Sequence, residues 1–161
     1  MISVVIPTHN RPEELKRAIK SVFNQTKLPQ ELIVVDDASR ERLNMDIFSN
    51  APLNLICNLI TIEHSNGGNH ARNIGIDIAK GEFIVFLDSD TIVTKGWLEN
   101  LHQSFQDNGE GLYQPKLLEK NRPDVINSAG NMINIFGMGF SRGKGKKDEG
   151  QYDQFQEIGY A

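Results

Sequence analysis

Short apolar runs, each followed by a cluster of polar residues, recur along the first hundred residues of the chain. They span residues 3–6, 32–35, 59–62 and 83–87, and amphipathic segments separate them. Runs that are apolar at every position suit strands buried on both faces, and the segments between them can supply the helices that cover the sheet. The sequence therefore predicts an α/β fold with a mostly parallel sheet flanked by helices.

The segments between the runs carry helix signals. Pro12 stands where a first helical position would be, followed by an apolar face with the spacing of a helix. Two further helices are predicted over residues 69–80, with Gly81 as the residue that closes the helix, and over residues 96–106. A weaker helix is expected over residues 41–48.

The pattern changes after about residue 109. Residues 112–118 favour a strand, and residues 125–135 favour a hairpin that turns around Ala129-Gly130-Asn131. Residues 137–150 are rich in glycine and lysine, which is typical of a mobile loop. The second part of the chain is therefore expected to be irregular.

Each of the four apolar runs leads into an unusual group of polar residues. In a parallel α/β sheet the carboxyl ends of the strands meet at one edge, and ligands bind beyond that edge. The four groups should therefore converge on one site. They occupy residues 7–11, 36–37, 64–68 and 88–90.

The last group contains two carboxylates, Asp88 and Asp90, separated by one residue. In an extended chain residues i and i+2 point to the same side, and like charges so close repel unless a cation or a donor lies between them. Carboxylate oxygens suit Mg²⁺ or Mn²⁺, and Mg²⁺ is commonly held by one or two carboxylates plus phosphates. A metal site is predicted here, and a solvated turn is the alternative.

Asp36 and Asp37 have the same position after the second run. One carboxylate could cap a helix or form a turn, and the other could accept hydrogen bonds from a ligand. Arg72, on the first turn of a predicted helix, could bind a phosphate or a base carbonyl, or form a surface salt bridge. His9 and His70 fall near the same edge, and we assign them no catalytic role.

Charge and cysteine content argue against several classes of protein. The formal net charge is −4, which disfavours a nucleic-acid partner. The single cysteine, Cys57, allows no disulfide within the chain and argues against a Cys/His zinc site. The sequence shows neither a secretory signal nor an apolar run of about 20 residues, so a cytoplasmic protein is expected.

Three ordered stretches within residues 2–101 carry a family resemblance. They read IPTHNRPEELKRAIKSVFNQT, ELIVVDDAS and NGGNHARNIGIDIAKGEFIVFLDSD. In this order and spacing they resemble the family 2 glycosyltransferases, which have a GT-A fold. The glycine-rich residues 128–151 further resemble bacterial members that make rhamnosyl and related surface-polysaccharide linkages.

The resemblance implies a function. It implies a metal-dependent, inverting transfer of a sugar from a nucleotide-diphospho-sugar donor to a saccharide or lipid-linked acceptor, in cell-surface polysaccharide synthesis. The implied cofactor is Mn²⁺ or Mg²⁺. The implied location is the cytoplasm, including the inner face of the cell membrane, with any membrane association made through a longer parent chain.

The resemblance also implies roles for single residues. Asp90 would bind the metal on the diphosphate, and Asp88 would face the ribose and share the metal. Asp37 would bind the base, with Asp36 beside it. The other implied substrate-binding residues are Thr8 at the nucleoside, Arg72 at the base or phosphate, and Asn10 and Asn66, to which no contact is assigned.

No catalytic base is assigned. Inverting transfer needs a group that deprotonates the acceptor hydroxyl, and Asp124, Asp148 and Asp153 are only loop candidates. In the family this carboxylate follows a strand with small residues, and residues 158–161 resemble the start of that strand. We therefore expect the base beyond Ala161, and a chain that is truncated at its C-terminus.

The expected organisation is a single domain over residues 1–161, with a nucleotide-sugar-binding half over residues 1–108 and the start of an acceptor-side half over residues 109–161. Three alternatives remain open. The first is a non-catalytic nucleotide-sugar-binding module. The second is a haloacid-dehalogenase-type phosphatase, although Ile92 stands where that motif has Thr or Val. The third is a receiver domain, although its acidic pair should end the first strand.

Overall fold

The structure, a computed structural model, describes residues 1–159 and divides into two compact units. The first unit covers Met1–Asn100, and the second begins at Leu101. Each unit has its own sheets, which are described separately below.

A four-stranded parallel sheet forms the centre of the first unit. Its strands are β1 (Ile2–Thr8), β2 (Glu31–Asp37), β3 (Ile56–Ile62) and β4 (Phe83–Phe86). They lie in the order β3-β2-β1-β4, and every neighbouring pair is parallel. The predicted parallel sheet is confirmed, with β1 and β2 buried at every position.

Three helices were predicted at the right places. Helix α1 covers Pro12–Phe23, α2 covers Gly68–Ile78 and α3 covers Trp97–Asn108. Helix α1 begins with proline and carries glutamates in its first turn, where the positive end of the helix dipole favours them. Its apolar face is buried through Leu15, Ala18, Ile19 and Val22.

Helix α2 packs closely on the centre of the sheet. Val5, Ile33, Val35 and Ala71 are fully buried there and form one apolar cluster. Gly75 lies against β1, and a Cβ atom at this position would overlap Cγ1 of Val5. The absence of a side chain at Gly75 therefore lets α2 approach the strand that supplies part of the site.

Two local predictions in this unit were wrong. Helix α2 ends at Ile78, so Gly81 does not close it. Gly81 instead passes close to β1, where an added Cβ would lie 2.6 Å from the backbone nitrogen of Ser3. The weak helix expected over residues 41–48 is reduced to a four-residue 3₁₀ helix, Met45–Phe48, which Asn44 caps through its side chain.

The second unit contains two antiparallel ribbons. Strand β5 (Leu117–Glu119) pairs with β6 (Arg122–Ser128), and β7 (Asn131–Ile133) pairs with β8 (Gly139–Ser141). The strand predicted over residues 112–118 is therefore present only in its last part. Strands β5, β7 and β8 have three residues each and no buried position, whereas β6 has seven residues and is buried at Ile126 and Ser128.

The hairpin predicted around Ala129-Gly130-Asn131 was placed incorrectly. Gly130 has a positive φ of 95° and lies between β6 and β7. The turn falls later, where the side chain of Asn134 accepts hydrogen bonds from the backbone nitrogens of Phe136 and Met138 at 2.9 and 3.0 Å.

The loop predicted to be mobile, residues 137–150, pairs with earlier chain. It contains β8, and the backbone nitrogen of Ile126 donates to the carbonyl of Lys146 at 2.8 Å. The strand predicted over residues 158–161 lies partly outside the described residues, since Tyr160 and Ala161 are not described. No strand is present at Ile158 or Gly159.

Candidate functional site

The strand order places a crevice at the carboxyl edge of the first unit. Strand β1 has β2 on one side and β4 on the other, so the chain changes direction across the sheet at this point. Ligands of open α/β sheets bind at such switch points. A cleft of about 300 Å³ opens there, lined by Thr8 and Arg11 after β1, Asp37 of β2, Arg72 of α2, and the segment 88–90 after β4.

Thr8 and Asp36 are register partners on neighbouring strands at this edge. Their exposed fractions are 4 % and 0 %. Oγ1 of Thr8 and Oδ2 of Asp36 are both buried and have no hydrogen-bond partner among the described residues. Since buried polar atoms normally have partners, this pair has unused hydrogen-bonding capacity next to the cleft.

Asn10 holds two loops together. Its backbone nitrogen donates to Oγ of Ser39 at 2.8 Å, and its side-chain oxygen accepts from the backbone nitrogen of Arg40 at 2.8 Å. Asn10 adopts a left-handed φ of 54°, which Asn tolerates better than most residues. Ser39 in turn donates to Oδ1 of Asp36 at 2.5 Å. These contacts give Asn10 a structural role at the edge of the cleft.

His9 belongs to the same network. Its Nδ1 donates to the backbone carbonyl of Asp37 at 2.5 Å, and the side-chain amide of Asn10 donates to its Nε2 at 2.7 Å. The residue thus links the end of β1 to the end of β2. It also lines the cleft.

Asp37 anchors the loop that leads into α2. Its carboxylate accepts hydrogen bonds from Oγ of Ser65 at 2.7 Å and from the backbone nitrogens of Asn66 and Gly67, both at 3.0 Å. The side chain of Asn66 points back to the carbonyl of His64, so this residue contacts Asp37 only through its backbone.

The pKa of Asp37 reflects these contacts. Burial acts to raise the pKa of the carboxyl group, but the hydrogen bonds from Asn66, Ser65 and Gly67, with the nearby His9, outweigh burial and lower it. The residue Asp37 is 3 % exposed, so hydrogen-bond donors of the protein, and not water, stabilise its negative charge.

Asp88 and Asp90 lie in a turn that follows β4. The backbone nitrogen of Thr91 donates to the carbonyl of Asp88 at 3.0 Å, so the segment forms a turn and the predicted extended conformation is wrong. Both carboxylates nevertheless line the cleft. Their side chains are 60 % and 47 % exposed.

Each of these two carboxylates is paired with an arginine from another element. Nη2 of Arg72 on α2 lies 2.6 Å from Oδ1 of Asp88. Arg11, at the start of α1, pairs with Oδ2 of Asp90. The four side chains form two separate ion pairs whose charges balance.

Arg11 was not predicted as a site residue. It is the last residue of the polar group at residues 7–11, and it lines the cleft beside Thr8. A basic residue next to a predicted carboxylate-rich edge was the signal that could have identified it.

The exposed carboxylates suit a hard divalent cation in their chemistry. Asp88 and Asp90 are oxygen ligands that open into the cleft, and each is paired with the guanidinium group of a partly exposed arginine. Within residues 1–159, no group of three or more His, Cys, Asp and Glu side chains is placed to hold a metal. Mg²⁺ commonly takes one or two protein carboxylates and completes its coordination with substrate phosphates, so the pair fits a metal that arrives with a phosphate ligand.

The acidic residues considered for a catalytic base lie in the second unit. Asp148 and Asp153 both pair with Nζ of Lys116, at 2.8 and 2.5 Å. The hydrogen bond from Lys116 lowers the pKa of Asp148, which makes it a weaker base. Asp124 is exposed on β6, where its carbonyl accepts from the backbone nitrogen of Asp148. None of the three is assigned a catalytic role.

Every helix in the described part of the chain is too short or too polar to cross a bilayer.

The chain matches a known family over most of its length. The profile of the family described as "Glycosyl transferase family 2" matches residues 3–157. The UDP-Glc:alpha-D-GlcNAc-diphosphoundecaprenol beta-1,3-glucosyltransferase WfgD of Escherichia coli is 34 % identical over 62 % of the chain. The poly(ribitol-phosphate) beta-N-acetylglucosaminyltransferase TarP of Staphylococcus aureus is 35 % identical over 69 % of the chain.

Solved structures show the same fold. The structure of S. aureus TarS in complex with UDP-GlcNAc matches 75 % of this chain with a TM-score of 0.57 and 26 % identity. The match covers 41 % of that TarS chain, and the sequence matches cover 37 % of WfgD and 35 % of TarP. The chain thus spans well under half the length of these relatives.

Proposed function

The chain belongs to glycosyl transferase family 2, and we propose that its first unit is the donor-binding part of a metal-dependent, inverting glycosyltransferase. The donor would be a nucleotide-diphospho-sugar, and the acceptor a saccharide or a lipid-linked saccharide in cell-surface polysaccharide synthesis. The observation that carries the proposal is the cleft at the β1/β4 switch point, where two exposed carboxylates and two arginines meet.

The nucleoside would occupy the part of the cleft near β1 and β2. The buried hydroxyl of Thr8 has no hydrogen-bond partner in the part of the chain that the structure describes, and Asp37 lines the same cleft. Asp37 holds the loop before α2 with three hydrogen bonds. Within residues 1–159 its Oδ1 accepts one of these, from Asn66, which leaves room for one more donor such as a base N–H. We propose that Asp36 and Asn10 support this region from behind through Ser39.

The diphosphate would occupy the part near the turn after β4. Asp90, with Asp88, would hold Mg²⁺ or Mn²⁺, and Arg72 would contact the base or a phosphate. When bound, the metal would stabilise the charge that develops on the leaving diphosphate, by on the order of several kcal/mol. The turn fixes the two carboxylates beside the cleft, and Arg72 supplies a positive charge from the first turns of α2.

The acceptor side is proposed from the relatives. The name of the E. coli relative states a diphosphoundecaprenol-linked acceptor, and that of TarP states poly(ribitol-phosphate). A polar donor and a lipid-linked acceptor meet at a membrane surface, so we propose that the reaction takes place on the cytoplasmic side of the membrane. The second unit is proposed to contribute to the acceptor side.

Calorimetry tests the donor site directly. The chain would be titrated with UDP, dTDP and GDP, each in Mn²⁺ and in EDTA, and the series repeated with Asp90→Ala. We expect one nucleotide to bind in Mn²⁺ only, and the binding to be lost in Asp90→Ala.

Asp153→Ala is the matched control, because it removes an exposed carboxylate of the second unit that does not line the cleft. It should bind like the unmodified chain. If a folded sample binds none of the three nucleotides, or binds equally well in EDTA, the proposed metal-dependent donor site is wrong.

A further inference from the structure

Arg11 lies where three parts of the first unit meet. It is the residue before Pro12, and its carbonyl accepts the hydrogen bond from Leu15 that closes the first turn of α1. Its side chain is 52 % exposed and reaches across to Asp90, which follows β4. It is thus a charged, accessible group at the diphosphate end of the proposed donor cleft.

The nearby acidic residues of α1 form ion pairs within their own helix. Glu13 pairs with Lys16 and Glu14 with Arg17, each three residues further along the helix. Arg11 forms its ion pair with Asp90, a carboxylate that the proposed function assigns to the metal. The same carboxylate cannot hold a metal and keep this pairing unchanged.

The charges of the site allow an exchange of partners. Asp88, Asp90, Arg11 and Arg72 sum to zero, and so does a nucleotide-diphospho-sugar with two negative charges together with one divalent cation. A guanidinium displaced from a carboxylate needs a new anion, and its planar fork fits phosphate oxygens with two parallel hydrogen bonds. Exposed ion pairs contribute little to stability, so the existing pair is easily given up.

We propose that Arg11 is a diphosphate-binding residue, which Asp90 holds in place until the donor arrives. When the metal–donor complex binds, Asp90 passes from Arg11 to the metal, and Arg11 passes from Asp90 to the diphosphate. This inference rests on the proposed function, because it needs a diphosphate and a metal in the same cleft. It adds Arg11 as a binding residue and assigns its ion pair with Asp90 to the ligand-free state.

The exchange predicts two opposite effects of one substitution. In Arg11→Gln, Asp90 loses its competitor, so Mn²⁺ alone should bind more tightly, by about threefold or more, as measured by electron paramagnetic resonance of free Mn²⁺. The same substitution removes a phosphate contact, so the nucleoside diphosphate should bind about tenfold or more weakly in saturating Mn²⁺. A residue that only supports the fold would weaken both.

The nucleotide probes are UDP, dTDP and GDP with the corresponding monophosphates. Arg11→Lys keeps the charge but loses the fork, so it should bind the diphosphate with intermediate affinity. Arg11→Gln should also reduce the preference of the site for the diphosphate over the monophosphate. Circular dichroism and urea unfolding of both variants establish that they are folded.

Arg40→Gln is the matched control. Arg40 is exposed and lines the neighbouring cleft of about 390 Å³, which Arg11 also lines. The hydrogen bond that Arg40 makes with Asn10 comes from its backbone, which the substitution preserves. This variant removes one positive charge near the site and should leave both affinities within twofold of the unmodified chain.

The outcomes separate the two proposals. If the unmodified chain binds no diphosphate in Mn²⁺, the proposed function fails and this inference fails with it. If it binds, but Arg11→Gln binds Mn²⁺ no more tightly or the diphosphate no more weakly, the exchange is wrong while the donor site stands. An equal loss in Arg40→Gln would show a general charge effect and would also overturn the exchange.

Discussion

Two acidic pairs lie at the carboxyl ends of strands of the same sheet, and their surroundings differ. Asp36 and Asp37 end β2 and are 0 % and 3 % exposed. Asp88 and Asp90 follow β4 and have about half of each side chain in solvent. The first pair is held by hydrogen bonds from loops of its own unit, whereas the second is held by two arginine side chains.

Position in the sheet explains the difference. Strand β2 lies between β1 and β3, so the loops after both neighbours close over its carboxyl end. Strand β4 lies at the edge with β1 as its neighbour, and Phe86 near its end is 42 % exposed. The same sequence signal, an apolar run followed by carboxylates, therefore gives a structural anchor in the middle of a sheet and a pair of exposed carboxylates at its edge.

The largest effect should come from breaking the anchor. Asp37→Ala leaves three hydrogen-bond donors without their acceptor, two of them backbone nitrogens of the loop before α2. Hydrogen bonds to charged groups contribute about 1.5–3 kcal/mol each, and partly compensating water contacts reduce the total, so we expect a loss of about 3 kcal/mol in the free energy of unfolding. Urea unfolding measures it. A loss of less than about 1 kcal/mol would show that Asp37 is not an anchor.

The anchor should also weaken in acid. The pKa of Asp37 is lowered in the folded chain from an ordinary value of 3.8. Its contribution to stability is therefore complete above pH 3.8 and is lost as the pH falls from 3.8 through the lower folded-state pKa. We expect the stability difference between the unmodified chain and Asp37→Asn to be constant between pH 5 and 7 and to narrow below pH 3.8.

Urea unfolding across this pH range gives the comparison, and effects of other carboxylates cancel because both proteins contain them. If the stability difference between the two proteins grew larger as the pH fell, burial and not hydrogen bonding would control the pKa of Asp37.

The smallest effect on stability should come from the open pair. Asp90→Ala removes an exposed ion pair with Arg11, and such pairs contribute about 0–1 kcal/mol. We expect its free energy of unfolding to stay within about 1 kcal/mol of the unmodified chain, measured in the same urea series. A loss as large as that of Asp37→Ala would remove the distinction between the two pairs.

The fold of the first unit could be predicted because its signals are local. Each strand is a short run of apolar residues, and each helix has its own starting residue or periodicity, as Pro12 shows for α1. The strand order could not be predicted in the same way, since it depends on which apolar faces meet in space. For this reason the sequence did not distinguish the central Asp37 from the edge Asp90.

The second unit was predicted poorly for a related reason. Besides its two local ribbons, this unit has backbone pairing between residues further apart in the chain, such as Asp124 with Asp148, which lies outside both ribbons and which no turn signal announces. Gly130 was interpreted as a hairpin turn, but it is a junction between β6 and β7, and Ile158 packs where its side chain would be. A glycine in a sequence can indicate either a close approach by another part of the chain or a positive φ. The sequence alone does not distinguish these two reasons.

The sequence indicated which residues line the candidate cleft better than it indicated what those residues contact. The cleft brings together Thr8, Asp37, Arg72, Asp88 and Asp90, as expected from the convergence of strand ends. The hydrogen-bond and ion-pair partners of these residues could be identified only from the side-chain positions in the structure. Arg11 was missed because an arginine at the start of a surface helix looks like many solvent-exposed residues.

Gly75 gives this cleft a mechanical dependence on the core. Alanine is normally the better helix residue by about 1 kcal/mol, so Gly75→Ala would seem a simple way to stabilise α2. Here the added methyl group would overlap Val5, and relieving the overlap would lift the helix from β1. Arg72 lies one turn earlier on the same helix, so it would be carried away from Asp88. Gly75 should therefore be kept in any effort to raise the stability of this protein, because a methyl group added there would shift α2 and with it the arginine at the cleft.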